Sequence, residues 1–99
     1  MYVVIWEYEV RPGAEAAFES LYGAQGGWVR FFRGQPGYLD TELLKGELPG
    51  GYLSIDRWLS AEAYSAFLTA AHPEYARLDA EGDALTLSER RIGGYSTPC

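Results

Sequence analysis

The chain has 99 residues, room for one domain, with residues 1–95 as its expected core and 96–99 as a tail. Domains this small bury a modest share of their surface and gain from a partner subunit. Eight Lys and Arg against fourteen Asp and Glu give a formal charge of −6, which opposes contact with phosphate backbones and excludes nucleic acid as an expected partner.

The first predicted strand, Tyr2–Val10, is dense in β-branched and aromatic residues and stops at the turn signal Arg11-Pro12-Gly13. Its alternation puts Tyr2, Val4, Trp6, Tyr8 and Val10 on one side and Val3, Ile5, Glu7 and Glu9 on the other. Pro12 suits the first turn of a helix, and Ala14, Ala17, Phe18, Leu21 and Tyr22 then form an apolar stripe. Gly23, Gly26 and Gly27 interrupt that stripe before Trp28, Val29, Phe31 and Phe32, which predicts a broken helix reaching about Arg33. Tyr38–Lys45 and Tyr52–Leu59 alternate on either side of a glycine-rich loop and read as a hairpin. Ser60 is a good N-cap for a second helix whose shared face is Ala63, Tyr64, Phe67, Leu68 and Ala71; a further helical piece starts at Pro73 and ends near Ala80. A last strand spans Leu85 to Tyr95.

The order β-α-β-β-α-β is that of an α+β ferredoxin-like fold, an antiparallel sheet with helices on one face. On the third strand the aliphatic set Leu53, Ile55 and Leu59 is expected under the helices. Tyr52, Ser54, Asp56 and Trp58 then fall on the uncovered face together with Trp6 and Tyr8. That mixed face is too apolar to leave wet, so two sheets meeting there would bury the rings around a polar-edged cavity in a homodimer.

No stretch is apolar enough for a membrane span or a signal peptide, so a cytoplasmic address is expected, with no membrane partner. Cys99 has no second cysteine to pair with and is expected to be exposed. Dinucleotide and phosphate-loop motifs and metal-ligand spacings are absent, which predicts no cofactor and no metal. Asp56 reads either as a general base raised in pKa by aromatic surroundings or as a cross-strand partner of Arg57, Lys45 or Arg91, and the second is the expectation. Arg57, Arg90 and Arg91 are expected to pair with Glu7, Glu9 and Glu42 on the sheet surface.

Four segments, Arg11-Pro12-Gly13, Gln35-Pro36-Gly37-Tyr38, Ile55-Asp56-Arg57-Trp58-Leu59-Ser60 and Arg90-Arg91-Ile92-Gly93, occur in an order and spacing that resembles the antibiotic biosynthesis monooxygenase family. The resemblance implies a dimeric α+β barrel with a small cavity in each subunit. It also implies a cofactor-independent oxygenase that converts polycyclic phenols such as anthrones to quinones with O2. The family pattern of an Asn, a Trp four residues on and a Tyr six further falls on Ser54, Trp58 and Tyr64, with Ser in place of Asn. In those roles Trp58 donates to a developing oxyanion or peroxide and Tyr64 meets a substrate phenol; each also has a plain core role. Trp6, Tyr52, Asp56 and His72 complete the expected pocket. Relatives that degrade haem make His72 a candidate haem ligand, although a histidine bonding the last carbonyls of its helix is the simpler reading. A binding dimer without catalysis is the third alternative.

Overall fold

The structure, a computed structural model, describes residues 1–70 and 72–98. The expected place of Ala71 on a helix stripe and the expected exposure of Cys99 lie outside the described residues. Along the chain run β1 (Tyr2–Val10), α1 (Glu15–Tyr22), α2 (Gly27–Phe32), β2 (Tyr38–Lys45), β3 (Gly51–Trp58), α3 (Ala61–Thr69), α4 (Pro73–Leu85) and β4 (Thr86–Ser96). The four strands form one antiparallel sheet in the order β2-β3-β1-β4, and the helices cover one of its faces.

Local signals placed most of these elements. The Ser60 hydroxyl accepts the Ala63 amide at 3.1 Å, a side-chain cap worth about 1 kcal/mol. Gly37 closes the turn into β2 at φ +85°, where a Cβ would also lie 2.5 Å from that of Ala63. Pro12 belongs to the turn before α1, not to its first turn, because the helix starts only after Ala14. Leu68 is 51% exposed and leaves the shared face of α3. Helix α4 runs past Ala80 to Leu85 and takes Leu85 from the last strand. It continues through Gly82, where the Tyr22 ring occupies the space a side chain would need: a Cβ on Gly82 would meet the Tyr22 hydroxyl at 2.0 Å.

The main correction concerns the faces. Tyr8, Tyr52, Ser54 and Trp58 are buried under the helices, and Trp6 and Asp56 share that side; it is the covered face. Leu53 and Ile55 stand with Val3, Ile5 and Arg57 on the open face, while Leu59 is 62% exposed beyond the end of β3. Both sides of β3 are apolar, so the strand's own pattern leaves the side ambiguous, and a single step in parity moves every side chain across. The helices settle it, because their rings match rings. Tyr8 meets Phe18 at 5.1 Å, Phe18 stacks on Tyr22 at 4.2 Å, and Trp58 lies 5.7 Å from Phe32 and 5.2 Å from Phe67. Each such pair adds roughly 0.5–1.5 kcal/mol beyond the area it buries.

The open face carries a strip of Val3, Ile5, Leu53 and Ile55 crossed by ion pairs. Arg57 binds Asp40 and Glu42, each at 3.0 Å, and Arg90 binds Glu7 at 2.9 Å. Arg91 instead turns to the covered side and donates to the Tyr2 hydroxyl at 3.2 Å.

Candidate active site

Between the sheet and α2, α3 and α4 the rings leave a narrow cavity of about 60 Å³. Trp6, Trp28, Phe32, Tyr64, Phe67 and Tyr75 give it aromatic walls; Tyr8, Thr41, Ser54 and Asp56 supply polar atoms from the sheet. It reaches the surface beside Glu89, the exposed member of its lining, with Asp79 at the same edge.

Asp56 is the polar centre of this wall. The β2–β3 hairpin sets Thr41 opposite it, and the Thr41 hydroxyl donates to Asp56 Oδ1 at 2.6 Å. Because that hydroxyl has a single proton, the contact of 2.8 Å between Tyr38 and Thr41 runs from the Tyr38 O–H to Thr41 Oγ1. A directed chain Tyr38, Thr41, Asp56 results. The expected pairing of Asp56 with Arg57, Lys45 or Arg91 is absent among the described residues. Alternation sends Arg57 to the other face, Lys45 reaches Glu19, and Arg91 turns to Tyr2. Burial in the cavity wall desolvates the Asp56 carboxyl, and this pushes its pKa up to about 6 in spite of the Thr41 bond.

A second polar pair sits beside it. The Tyr8 and Ser54 hydroxyls share a hydrogen bond of 3.3 Å, and burial pushes the Tyr8 phenol well above its ordinary range. Tyr64 is also raised by burial, with the nearby Arg91 charge opposing the shift.

Trp6, Ser54, Asp56 and Tyr64 therefore come together on the cavity. Trp58 does not line it. Fully buried, it stands behind the wall, 5.5 Å from the Tyr64 ring, and its Nε1–H has no hydrogen-bond partner among the described residues; Trp28 Nε1 is orphaned likewise. Tyr52 belongs to the core beside α1, where its hydroxyl donates to the Glu19 carboxylate. Burial and that carboxylate push its pKa up to about 12. His72 is off the cavity as well: its ring stacks on Phe67 at 4.7 Å and Nε2 lies 3.1 Å from the Phe67 carbonyl, the helix-end contact expected of it. Among the described residues, one group of three side chains is close enough to share a metal ion, Asp79, Asp83 and Glu89, with ligand atoms within 4.8 Å of one another. Asp83 and Glu89 are exposed, and Asp79 and Glu89 line the cavity's edge.

Thr41, Tyr8, Trp28 and Tyr75 were not singled out from the sequence as site residues. Counting back across the hairpin places Thr41 opposite Asp56, a signal that was readable; the rings of Trp28 and Tyr75 come from two helices whose juxtaposition no local pattern shows.

Residues 1–77 match the family model of the antibiotic biosynthesis monooxygenases. No curated protein matches the chain by sequence. Among solved structures, SnoaB, a cofactor-independent oxygenase from Streptomyces nogalater, is similar at 24% identity and a TM-score of 0.81, over 99% of this chain and 93% of that one. A candidate antibiotic biosynthesis monooxygenase from Deinococcus radiodurans gives 0.78 at 15% identity, covering 99% and 93%. Another from Nitrosomonas europaea gives 0.74 at 17%, covering 98% of each. These likenesses establish the common fold.

Proposed function

Since the chain belongs to the antibiotic biosynthesis monooxygenase family, we propose that it is a cofactor-independent monooxygenase for an aromatic, enolisable phenol of the anthrone type. The substrate's own electrons reduce O2: a ring methylene becomes a carbonyl, one oxygen atom enters the product, and the other leaves as water, its two protons balancing the two lost from the methylene. No external reductant is required.

The observation that carries this reading is the aromatic-walled cavity with polar groups converging from the sheet and an unpaired Trp58 N–H directly behind it. A buried donor without an acceptor costs about 1–3 kcal/mol, and a donor held in reserve is what a developing oxyanion or peroxide needs. At about 60 Å³ the closed cavity is far smaller than the roughly 300–1,000 Å³ that drug-sized ligands occupy. Entry of a polycyclic substrate thus requires the half-buried rings of Trp6, Tyr64 and Tyr75 to turn aside. Rotation of Tyr64 both opens the cavity and uncovers the Trp58 indole. In this reading Trp58 and Tyr64 are catalytic, and Ser54 holds the place of an Asn through its bond to Tyr8. Two copies meet through the aliphatic strip of the open face, leaving one cavity in each subunit. The haem alternative needs a ligand on the cavity wall, and His72 is bonded elsewhere.

Oxygen consumption by the purified protein with anthrones and naphthols, without added cofactor, tests the proposal. Turnover that falls about 100-fold or more in a folded Trp58→Phe variant supports it. Binding of these phenols without oxygen uptake by the wild type would leave a non-catalytic binding dimer.

A further inference from the structure

Asp56 is a carboxylate on the covered face without an ion-pair partner among the described residues. Asp56 lies on the cavity wall, bonded by the Thr41 hydroxyl, which in turn takes the Tyr38 hydroxyl. A salt-bridged carboxylate is a poor base because the cation stabilises its charged form; here the nearest arginine in sequence, Arg57, is spent on Asp40 and Glu42 across the sheet. Tyr38 stands on the edge strand and is half-buried, so the hydrogen-bonded chain leads from the cavity toward solvent.

We infer that Asp56 is the general base of this site and that Thr41 and Tyr38 return its proton to solvent. The inference rests on the oxygenase reading for the oxygen chemistry, not for the proton transfer. In that transfer a C–H bond of the substrate methylene breaks, its electron pair passes into the ring system as a phenolate, and the proton bonds to an Asp56 oxygen. The phenolate is the species that surrenders electrons to O2. Once the two hydroxyls have turned round, Asp56 passes its proton to Thr41 Oγ1, Thr41 passes its own to the Tyr38 oxygen and Tyr38 releases one to water, which restores the carboxylate and the original direction of the chain. Trp58 keeps the separate task of meeting the oxygen-derived charge.

The groups facing Asp56 fit a base that works near neutrality. Tyr8 from β1, Tyr64 from α3 and Tyr75 from α4 are phenols raised by burial and stay neutral in that range. Asp79 from α4 and Glu89 from β4 sit at the cavity's edge and are raised by burial and by neighbouring carboxylates. Arg91 lies near Tyr64 and is bonded to Tyr2. With the Asp56 carboxyl near 6, the base form grows in as pH rises from 5 to 7, where a general base is most effective.

The test separates the proton from the oxygen. Under anaerobic conditions, deuterium exchange into the methylene of 1,8-dihydroxyanthrone is followed by NMR, and the same protein is then assayed for oxygen uptake. Wild type is expected to accelerate exchange with a midpoint near pH 6; Asp56→Asn slows it about 100-fold or more at saturating anthrone. Thr41→Val moves the midpoint upward and Thr41→Ser restores it. Thermal unfolding at pH 7 confirms that the variants are folded. Exchange without oxygen uptake in wild type would sustain the base and sink the oxygenase reading. Exchange in Asp56→Asn at the wild-type rate, or none above buffer in either protein, would overturn the base.

Discussion

Replacing Asp56 by Asn is expected to make the protein more stable at neutral pH, even as it removes the proposed base. Burial raises the carboxyl from 3.8 to about 6, so between those values the folded state holds a proton that the unfolded state has lost. Stability contributed by this group therefore falls as pH rises through that window, and above 6 the full penalty applies. A shift of about two units corresponds to about 3 kcal/mol. Asn keeps an acceptor for the Thr41 hydroxyl but brings an amide N–H2 whose incomplete pairing costs about 1 kcal/mol. The balance is a gain of about 2 kcal/mol at pH 7, roughly 10 °C in Tm for a chain of this length, and no gain at pH 4. Urea unfolding of both proteins from pH 4 to 8, at one fixed protein concentration, measures the difference. A destabilisation that stays constant with pH would show that Asp56 is a structural partner whose charge the fold wants, and the desolvation argument would be wrong.

Ile55→Asp places a charge in the aliphatic strip of the open face and is expected to yield folded monomers by light scattering, with the cavity intact; an unchanged dimer would refute the assembly proposed for that face. Gly82→Ala forces the Tyr22 hydroxyl from its position at 2.0 Å from the new Cβ. Tyr22 is stacked on Phe18 and has little room to yield, so overpacking of about 1–3 kcal/mol exceeds the roughly 1 kcal/mol that Ala adds to a helix; a higher Tm would mean that the ring moves freely.

The element order was legible because each signal is local. Tyr2–Val10 and Tyr38–Lys45 have the same limits in the chain's pattern and in the fold, and Ser60 caps its helix as its type and place suggest. The sidedness of the sheet was not legible in β3, where Leu53 and Ile55 look more core-like than Ser54 and Asp56. What decides it is a match between rings on β1 and β3 and rings on α1, α2 and α3, and a single strand's alternation contains no term for its partner. The same limit hid the surroundings of Asp56. Its charge invites a cross-strand arginine, but the candidate beside it points the other way. Trp6, Ser54 and Tyr64 line the cavity, whereas Tyr52 and His72 are claimed by Glu19 and by the Phe67 carbonyl.

Strand β3 alternates between two clients. Even positions from Tyr52 to Trp58 meet rings and cavity, while odd positions from Leu53 to Arg57 form the outer strip and its ion pairs. Substitutions at one parity can thus reshape the cavity while those at the other reshape only the outer strip, so the two faces are free to diverge independently. Deleting one residue from this strand would have the opposite consequence, exchanging the two sets and disrupting cavity and strip in a single step.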